Sequence, residues 1–441
     1  MTLETIYRRI GKFGLADFEF QKPAFTETIA VSVALVLIAI YVYVSFFIYS
    51  GVFGSPIPQN SDVYADPLCP GNIKNLWLDV VVVVDKSQLM TNSQLWQVRN
   101  TISQVFGAVS NIGPTKWPAD PRSTCVGVVT YDNSSTVNAE VDASKSFSDL
   151  YNVIQSSLVA VDTTNTSYLS SGLLAAEKAF KDSRQRTYRY KFQQVVIAFA
   201  ADYQGSGTIK DAKPVANRLK NNGVSIITVS CTNDPNASNE IQSLASPGFN
   251  FIDEMNTAKL VKQLTNALLS VNCFCPSDYT QYRADYHDPT STQYGICIKG
   301  YIETGGIIDP YQHAIDWCEY EATNGILVNE FTKQKHDFIT YYMNDAFGVN
   351  KPQEYYIGLR YLKNQWVWEQ PTGQERIPLD PNGWTNWAPG YPQANSTGQV
   401  IADQPWTKGS SEFVWAPPQT DDFYFVCQAV ASSTENFTGQ L

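Results

Sequence analysis

The pattern of apolar and polar positions divides the chain before any other property does. From Thr28 to Phe53 (TIAVSVALVLIAIYVYVSFFIYSGVF) no residue is charged, and the apolar core from Ile29 to Tyr49 is 21 residues, about 31 Å as a helix, which matches the hydrocarbon core of a bilayer. This predicts a membrane-spanning helix over 28–50, with Tyr41, Tyr43 and Tyr49 toward its outer interface. Arg8, Arg9, Lys12 and Lys22 precede it, and the next basic residue is Lys74, so the positive-inside bias predicts a cytosolic tail over 1–27 and a type II signal anchor. A cleaved signal peptide is the rival reading. The 28 residues before the apolar run and the length of the run favour a retained anchor.

Residues 51–73 are rich in Pro, Gly and small polar residues without periodicity, and read as a stalk. Leu78 to Val84 (LDVVVVV) is then almost wholly β-branched, the pattern of a strand buried on both faces of a parallel sheet. Helical spacing follows over Ser93–Ser110, strands over Val126–Tyr131 and Thr136–Val141, and helices over Phe147–Ser156 and Tyr168–Lys181. Strand Gln194–Ala200, helix Ala212–Asn221, strand Val224–Ser230, a short strand near Phe249–Ile252 and helix Thr257–Val271 complete the series. Such alternation predicts a doubly wound α/β domain over 74–272. From Cys273 the texture changes to dense aromatics, prolines and cysteines. The expected second domain, α+β over 273–430, has helices near His313–Ala322 and Lys333–Met343 and short strands at Tyr355–Leu359, Trp366–Trp368 and Phe423–Gln428. A tail over 431–441 ends the chain.

Charge and cysteines restrict the function classes. The tail 1–27 holds four basic and four acidic residues, so the net charge of -11 belongs to the part beyond the span and argues against nucleic acid as partner. All eight cysteines lie there too, which points to an oxidising compartment and disulfides. Glycosylation sequons begin at Asn133, Asn165, Asn236, Asn395 and Asn436. The three histidines, His287, His313 and His336, all fall in the second domain, and no Ser/His/Asp grouping, phosphate loop or HExxH occurs. An enzyme is not expected.

In a doubly wound domain, ligands gather at the carboxyl ends of strands. Asp85 closes VVVVVD and Asp202 closes VVIAFAAD; with Ser87, Thr164 and Thr166 they are candidate oxygen ligands for Mg²⁺ or Mn²⁺. The region resembles a von Willebrand factor type A domain, whose adhesion site uses an Asp-x-Ser-x-Ser loop, a distant Thr and a further Asp. That resemblance implies capture of a partner's carboxylate at an open coordination position of the ion. Here Leu89 stands in place of the second serine, and Tyr203 where a glycine often follows the last aspartate.

The second domain resembles C-type lectin-like domains through CPSDYTQY and YGIC, AIDWCEYEATNGILV, YIGL at Tyr356–Leu359, WVWE at Trp366–Glu369 and FVCQ. The resemblance implies disulfides Cys275–Cys297 and Cys318–Cys427. Sugar-binding members hold calcium with a Glu-Pro-Asn or Gln-Pro-Asp loop and a Trp-Asn-Asp strand. This chain has Tyr391-Pro392-Gln393 in the loop, and Ala416 and Pro417 after Trp415, so calcium is not expected there. Gln399 and Gln419 lie near where a second family disulfide would be. Trp387, Tyr391, Gln393 and Trp415 remain candidate ligand-binding residues, with Trp384 and Trp406 beside them; core packing is the other reading of the aromatics.

Of the remaining cysteines, Cys69, Cys125 and Cys273 belong near the amino edge of the first domain's sheet and Cys231 at its carboxyl edge. Disulfide geometry then favours Cys69–Cys273 and leaves Cys125 and Cys231 as free thiols or as an interchain bond in a homodimer. Anchor, type A domain and lectin-like domain in this order resemble proteins common in nematodes. The expectation is a plasma-membrane adhesion or recognition protein that binds an extracellular protein or matrix partner. A structural matrix-linking component and a glycan-binding lectin are the rivals.

Overall fold

The computed structural model describes residues 63–69, 71–115, 122–303, 308–348, 354–393, 398–407, 410, 412–419 and 423–437. The expected tail 1–27, span 28–50 and first part of the stalk lie outside the described residues. Among the described residues no helix is long and apolar enough to cross a membrane.

The first domain is built on a six-stranded sheet of order β3-β2-β1-β4-β5-β6, comprising β1 (Asp79–Asp85), β2 (Cys125–Tyr131), β3 (Ser135–Ala139), β4 (Gln194–Ala200), β5 (Val224–Ser230) and β6 (Asn250–Ile252). All pairings are parallel except β2 with β3. All seven residues of β1 are buried because helices cover both faces. One face packs on α1 (Asn92–Gly107), α2 (Phe147–Ser157) and the last helix of the domain, Thr257–Val271. The other packs on α3 (Leu169–Thr187), α4 (Ala212–Asn221) and α5 (Pro235–Ser243). Helix Thr257–Val271 is α6. Thr91 starts α1 with a reciprocal capping box to Gln94. In α3, Gly172 faces the sheet: a Cβ there would meet Val83 Cγ1 at 2.5 Å, so the missing side chain lets the helix lie close.

The second domain opens with the hairpin β7 (Thr280–Arg283) and β8 (Gln293–Glu303), closed by Cys275–Cys297. Next come α7 (Pro310–Glu321), β9 (Ile326–Leu327) and α8 (Lys333–Phe347). Strands β10 (Tyr355–Leu362), β11 (Gln365–Trp368), β12 (Ile377–Pro378), β13 (Val400–Pro405), β14 (Phe413–Ala416) and β15 (Phe423–Val430) follow. β15 pairs antiparallel with β8 along its length, bringing the ends of the domain together, and Cys318–Cys427 staples α7 to β15.

The boundaries differ from the sequence expectation at both junctions. Residues 63–69 do not hang as a stalk: Leu68 bridges to Tyr294, Tyr64 packs edge-on against Phe331 at 5.8 Å, and Asp66 forms an ion pair of 2.6 Å with fully buried Lys335. Residues 431–434 are buried, not a free tail. Trp77 is the hub of this junction. Its Nε1 donates to the Ser433 carbonyl at 2.8 Å, its N–H donates to Asn272 Oδ1 at 2.9 Å, and its ring meets Phe192, Phe274 and Phe437. Cys69–Cys273 closes the junction. Lowering the backbone into such contacts satisfies its polar groups, which a Pro- and Gly-rich sequence cannot signal.

Candidate functional site

The carboxyl edge of the first sheet gathers part of the predicted ligand set. The short loop after β1 turns the Ser87 N–H back to Asp85 Oδ1 at 2.8 Å. Asp85 Oδ2 accepts from the Ser167 hydroxyl at 2.7 Å and from the Ala201 N–H at 3.1 Å, and the Ser87 hydroxyl bonds the same carboxylate. Burial raises the Asp85 carboxyl above its ordinary range, against the pull of these hydrogen bonds. Thr164 is turned away, donating to Asp132 Oδ2 at 3.0 Å. Thr166 is half-buried and bonds to none of these carboxylates among the described residues. Asp202 Oδ1 accepts from the Tyr203 N–H and Oδ2 from the Gln204 amide, each at 2.8 Å. Gln204 in turn accepts from the Ser167 N–H at 3.0 Å.

Thus Asp85 and Ser87 meet, and the hydroxyl that joins them is Ser167, with Gln204 tying Asp202 to its loop. Neither partner was singled out from the sequence. The only signal for Ser167 was its place just before α3, where two threonines competed with it.

A divalent cation here needs free oxygen lone pairs. A carboxylate offers about four, and those of Asp85 are filled by neighbours; Ser87 Oγ also accepts from the Leu89 N–H at 3.3 Å. Leu89 supplies no oxygen. As arranged, these residues do not fit Mg²⁺ or Mn²⁺. They form a closed hydrogen-bonded knot at the sheet edge. Around this edge, Asn133, Asn165 and Asn236 are exposed, the first beside Asp132, the second accepting at its carbonyl from Gln204 at 3.2 Å. Asn436 is exposed at the junction, and Asn395 lies outside the described residues.

In the second domain the aromatic candidates separate by depth. Trp415 is wholly buried, its ring meeting Trp368, Trp384 and Trp387 at 5.2–5.6 Å and its Nε1 donating to Glu330 at 2.7 Å. It is core, and its assignment as a ligand contact is corrected. Trp387 is half-buried, 4.7 Å from Trp366. The segment is held by backbone bonds from Trp415 N–H to Asn386 O at 2.7 Å and from Ala388 N–H to Trp415 O at 3.0 Å. From this base Pro389, Gly390, Pro392 and Gln393 stand exposed around half-buried Tyr391. Among the residues at the family's calcium positions, Gln393 offers an amide oxygen, Tyr391 a phenol, and Ala416 and Pro417 no side-chain oxygen. That donor set does not fit calcium.

Cys125 and Cys231 are unpaired and buried. Burial pushes the Cys125 thiol up to about 12 and the Cys231 thiol well above its ordinary value. Buried thiols cannot bridge two chains in this fold, which removes the interchain bond.

Comparison with known proteins bears on the two folds. Residues 79–267 match the von Willebrand factor type A domain, and residues 308–429 match the Lectin C-type domain. The chain carries these two domains in tandem. It is similar to C-type lectin domain-containing protein 160 of Caenorhabditis elegans, 25% identical over 385 residues, 83% of this chain and 55% of that protein. The chain therefore spans about half the length of that relative. Among solved structures, it is similar to proximal thread matrix protein 1 from the mussel byssus, at 15% identity and a TM-score of 0.39 over 48% of this chain and 51% of that one. Another structure of the byssus protein, with a zinc-occupied MIDAS motif, matches at 19% identity and a TM-score of 0.35 over 46% of each chain.

Proposed function

We propose that the protein is a cell-surface adhesion or recognition protein, and not an enzyme, that binds an extracellular protein or matrix partner without needing a divalent cation at the binding surface. The observation that carries this reading is the loop 389–393 of the lectin domain, exposed on a base of packed tryptophans and without the donor set calcium needs. Rigid aromatic support lowers the entropy cost of presenting a contact surface. The type A sheet edge is the weaker candidate, because its polar groups are closed on one another and glycans at Asn133, Asn165 and Asn236 would crowd it. In this reading the apolar run 28–50 is a type II anchor in the plasma membrane that holds both domains outside the cell.

The test is binding of the full chain to extracellular matrix preparations and to cell surfaces. Binding is expected to persist in calcium-free buffer, to resist elution by free sugars, and to fall at least tenfold in Tyr391→Ala, a loss of about 1.4 kcal/mol, with unchanged melting temperature. Binding eluted by sugar, or lost in EDTA and restored by calcium alone, would return the protein to the calcium-dependent lectins.

A further inference from the structure

The interior of the lectin domain holds a charged cluster that the exposed loop 389–393 does not use. Glu330 lies between β9 and α8, His336 on α8 and Asp403 on β13; the two carboxylates are wholly buried and the imidazole is 5% exposed. His336 Nδ1 stands 3.1 Å from Glu330 Oε2 and 3.2 Å from Asp403 Oδ2. The three residues offer ligand atoms within 4.8 Å of one another.

Hydrogen bonding among the three leaves their chemistry incomplete. One Nδ1 proton faces two carboxylates, and among the described residues buried Glu330 Oε1 and Asp403 Oδ1 have no hydrogen-bond partner. An imidazolium with two carboxylates also leaves one negative charge in the core. Lys335 cannot supply the balance, since its ammonium is held by Asp66, Asn329 and Gln428 at 2.6, 2.6 and 2.9 Å.

We propose that Glu330, His336 and Asp403 form a buried structural site for a divalent transition metal of the zinc class. Ligand atoms about 2.0–2.1 Å from a tetrahedral ion lie about 3.3 Å from each other, close to the separations His336 Nδ1 makes here. A divalent ion with two carboxylates and a neutral imidazole sums to zero charge. The orphaned oxygens give each carboxylate a second coordinating atom. The imidazole nitrogen excludes calcium, whose ligands are oxygens.

The neighbours of the ligands are those of a supported metal site. Trp415 Nε1 donates to Glu330 Oε2 at 2.7 Å, the Tyr355 hydroxyl donates to Asp403 Oδ2 at 2.6 Å, and Asn386 approaches His336 Nε2 at 3.3 Å. The Trp384 ring is 5.4 Å from the imidazole. The ion therefore braces the 384–387 segment from beneath, the segment that carries the exposed loop, and substitutes an internal metal for the missing surface calcium.

The full chain, stripped with chelator and passed over a desalting column after exposure to zinc chloride, is expected to retain about one zinc per chain, with a raised melting temperature. Cobalt(II) in place of zinc gives the visible absorption of a four-coordinate oxygen and nitrogen site without the near-ultraviolet band of thiolate ligation. His336→Gln and Asp403→Asn lose the metal, while Asp85→Asn at the type A edge keeps it. Folded wild-type chain that retains neither zinc nor cobalt overturns the proposal, as does a thiolate-type cobalt spectrum. Undiminished zinc in His336→Gln overturns it equally. The cobalt measurement needs no variant and stands even if the substituted chains fail to fold.

Discussion

Single residues show how depth sorts chemically similar side chains. Trp415 and Tyr391 were equivalent candidates for a binding surface, yet one is core and the other sits on the rim of an exposed loop. Trp415→Ala is expected to cost about 3–5 kcal/mol of stability in chemical denaturation, whereas Tyr391→Ala leaves stability nearly unchanged. Aromatic composition could not separate them, because a tryptophan serves core and interface equally well. Cysteine reactivity follows from depth in the same way. Native protein is expected to react with thiol reagents at neither Cys125 nor Cys231 at pH 8, and at both once unfolded without reductant, since a buried thiol forms no thiolate. The position of Cys231 at the carboxyl edge was readable from strand order; its burial was not.

At the scale of elements, the most legible features were those in which one strand or helix states its own environment. The valine run of β1 announces burial on both faces, and the observed strand matches it. Helix α5, PNASNEIQS, was missed because only Ala237 and Ile241 among its apolar residues face the core, too few for a periodic signal, and an Asp234 cap with Pro235 at its start substitutes for the pattern. β13 was missed for the opposite reason: buried Asp403 and Gln404 break its apolar alternation, Asp403 Oδ2 accepting from the Tyr355 hydroxyl and the Gln404 amide donating to the Pro417 carbonyl. The contact of α3 with the sheet depends on Gly172, and Gly172→Ala is expected to destabilise by about 1–3 kcal/mol through overpacking, despite alanine's better helix propensity. Where α3 ends, Arg186 pairs with Asp142 and holds its carboxyl below the ordinary 3.8. A folded value below the unfolded one gives stability that is present above pH 3.8 and is lost as pH falls through the lower folded value. Asp142→Asn is therefore expected to be less stable than wild type at pH 7, the difference closing in acid and shrinking in 1 M salt, as urea titrations would show.

For the whole molecule, the junction matters more than either domain's surface. Cys69–Cys273 spans 204 residues, the length of the type A domain. In the chain-entropy account its removal costs up to about 5 kcal/mol, so Cys69→Ala with Cys273→Ala is expected to lower the first melting transition and to separate it from that of the lectin domain in calorimetry. The same ties convert residues 63–69 and 431–434 from connecting chain into packed structure, which no local pattern in them predicts. By itself the sequence determined the order of the two folds, the preference for Cys69–Cys273 and the replacement of a serine by Leu89, because periodicity, strand order and the identity of a side chain are local properties; Cys275–Cys297 and Cys318–Cys427 followed from the family resemblance. Only the tertiary structure decided that Ser167 closes on Asp85, that Trp415 is core, and that Glu330, His336 and Asp403, separated by up to 73 positions, meet in one buried cluster. The physical reason is that hydrogen bonds and charge balance in a dry interior depend on distances across elements, and a linear pattern carries no such distances.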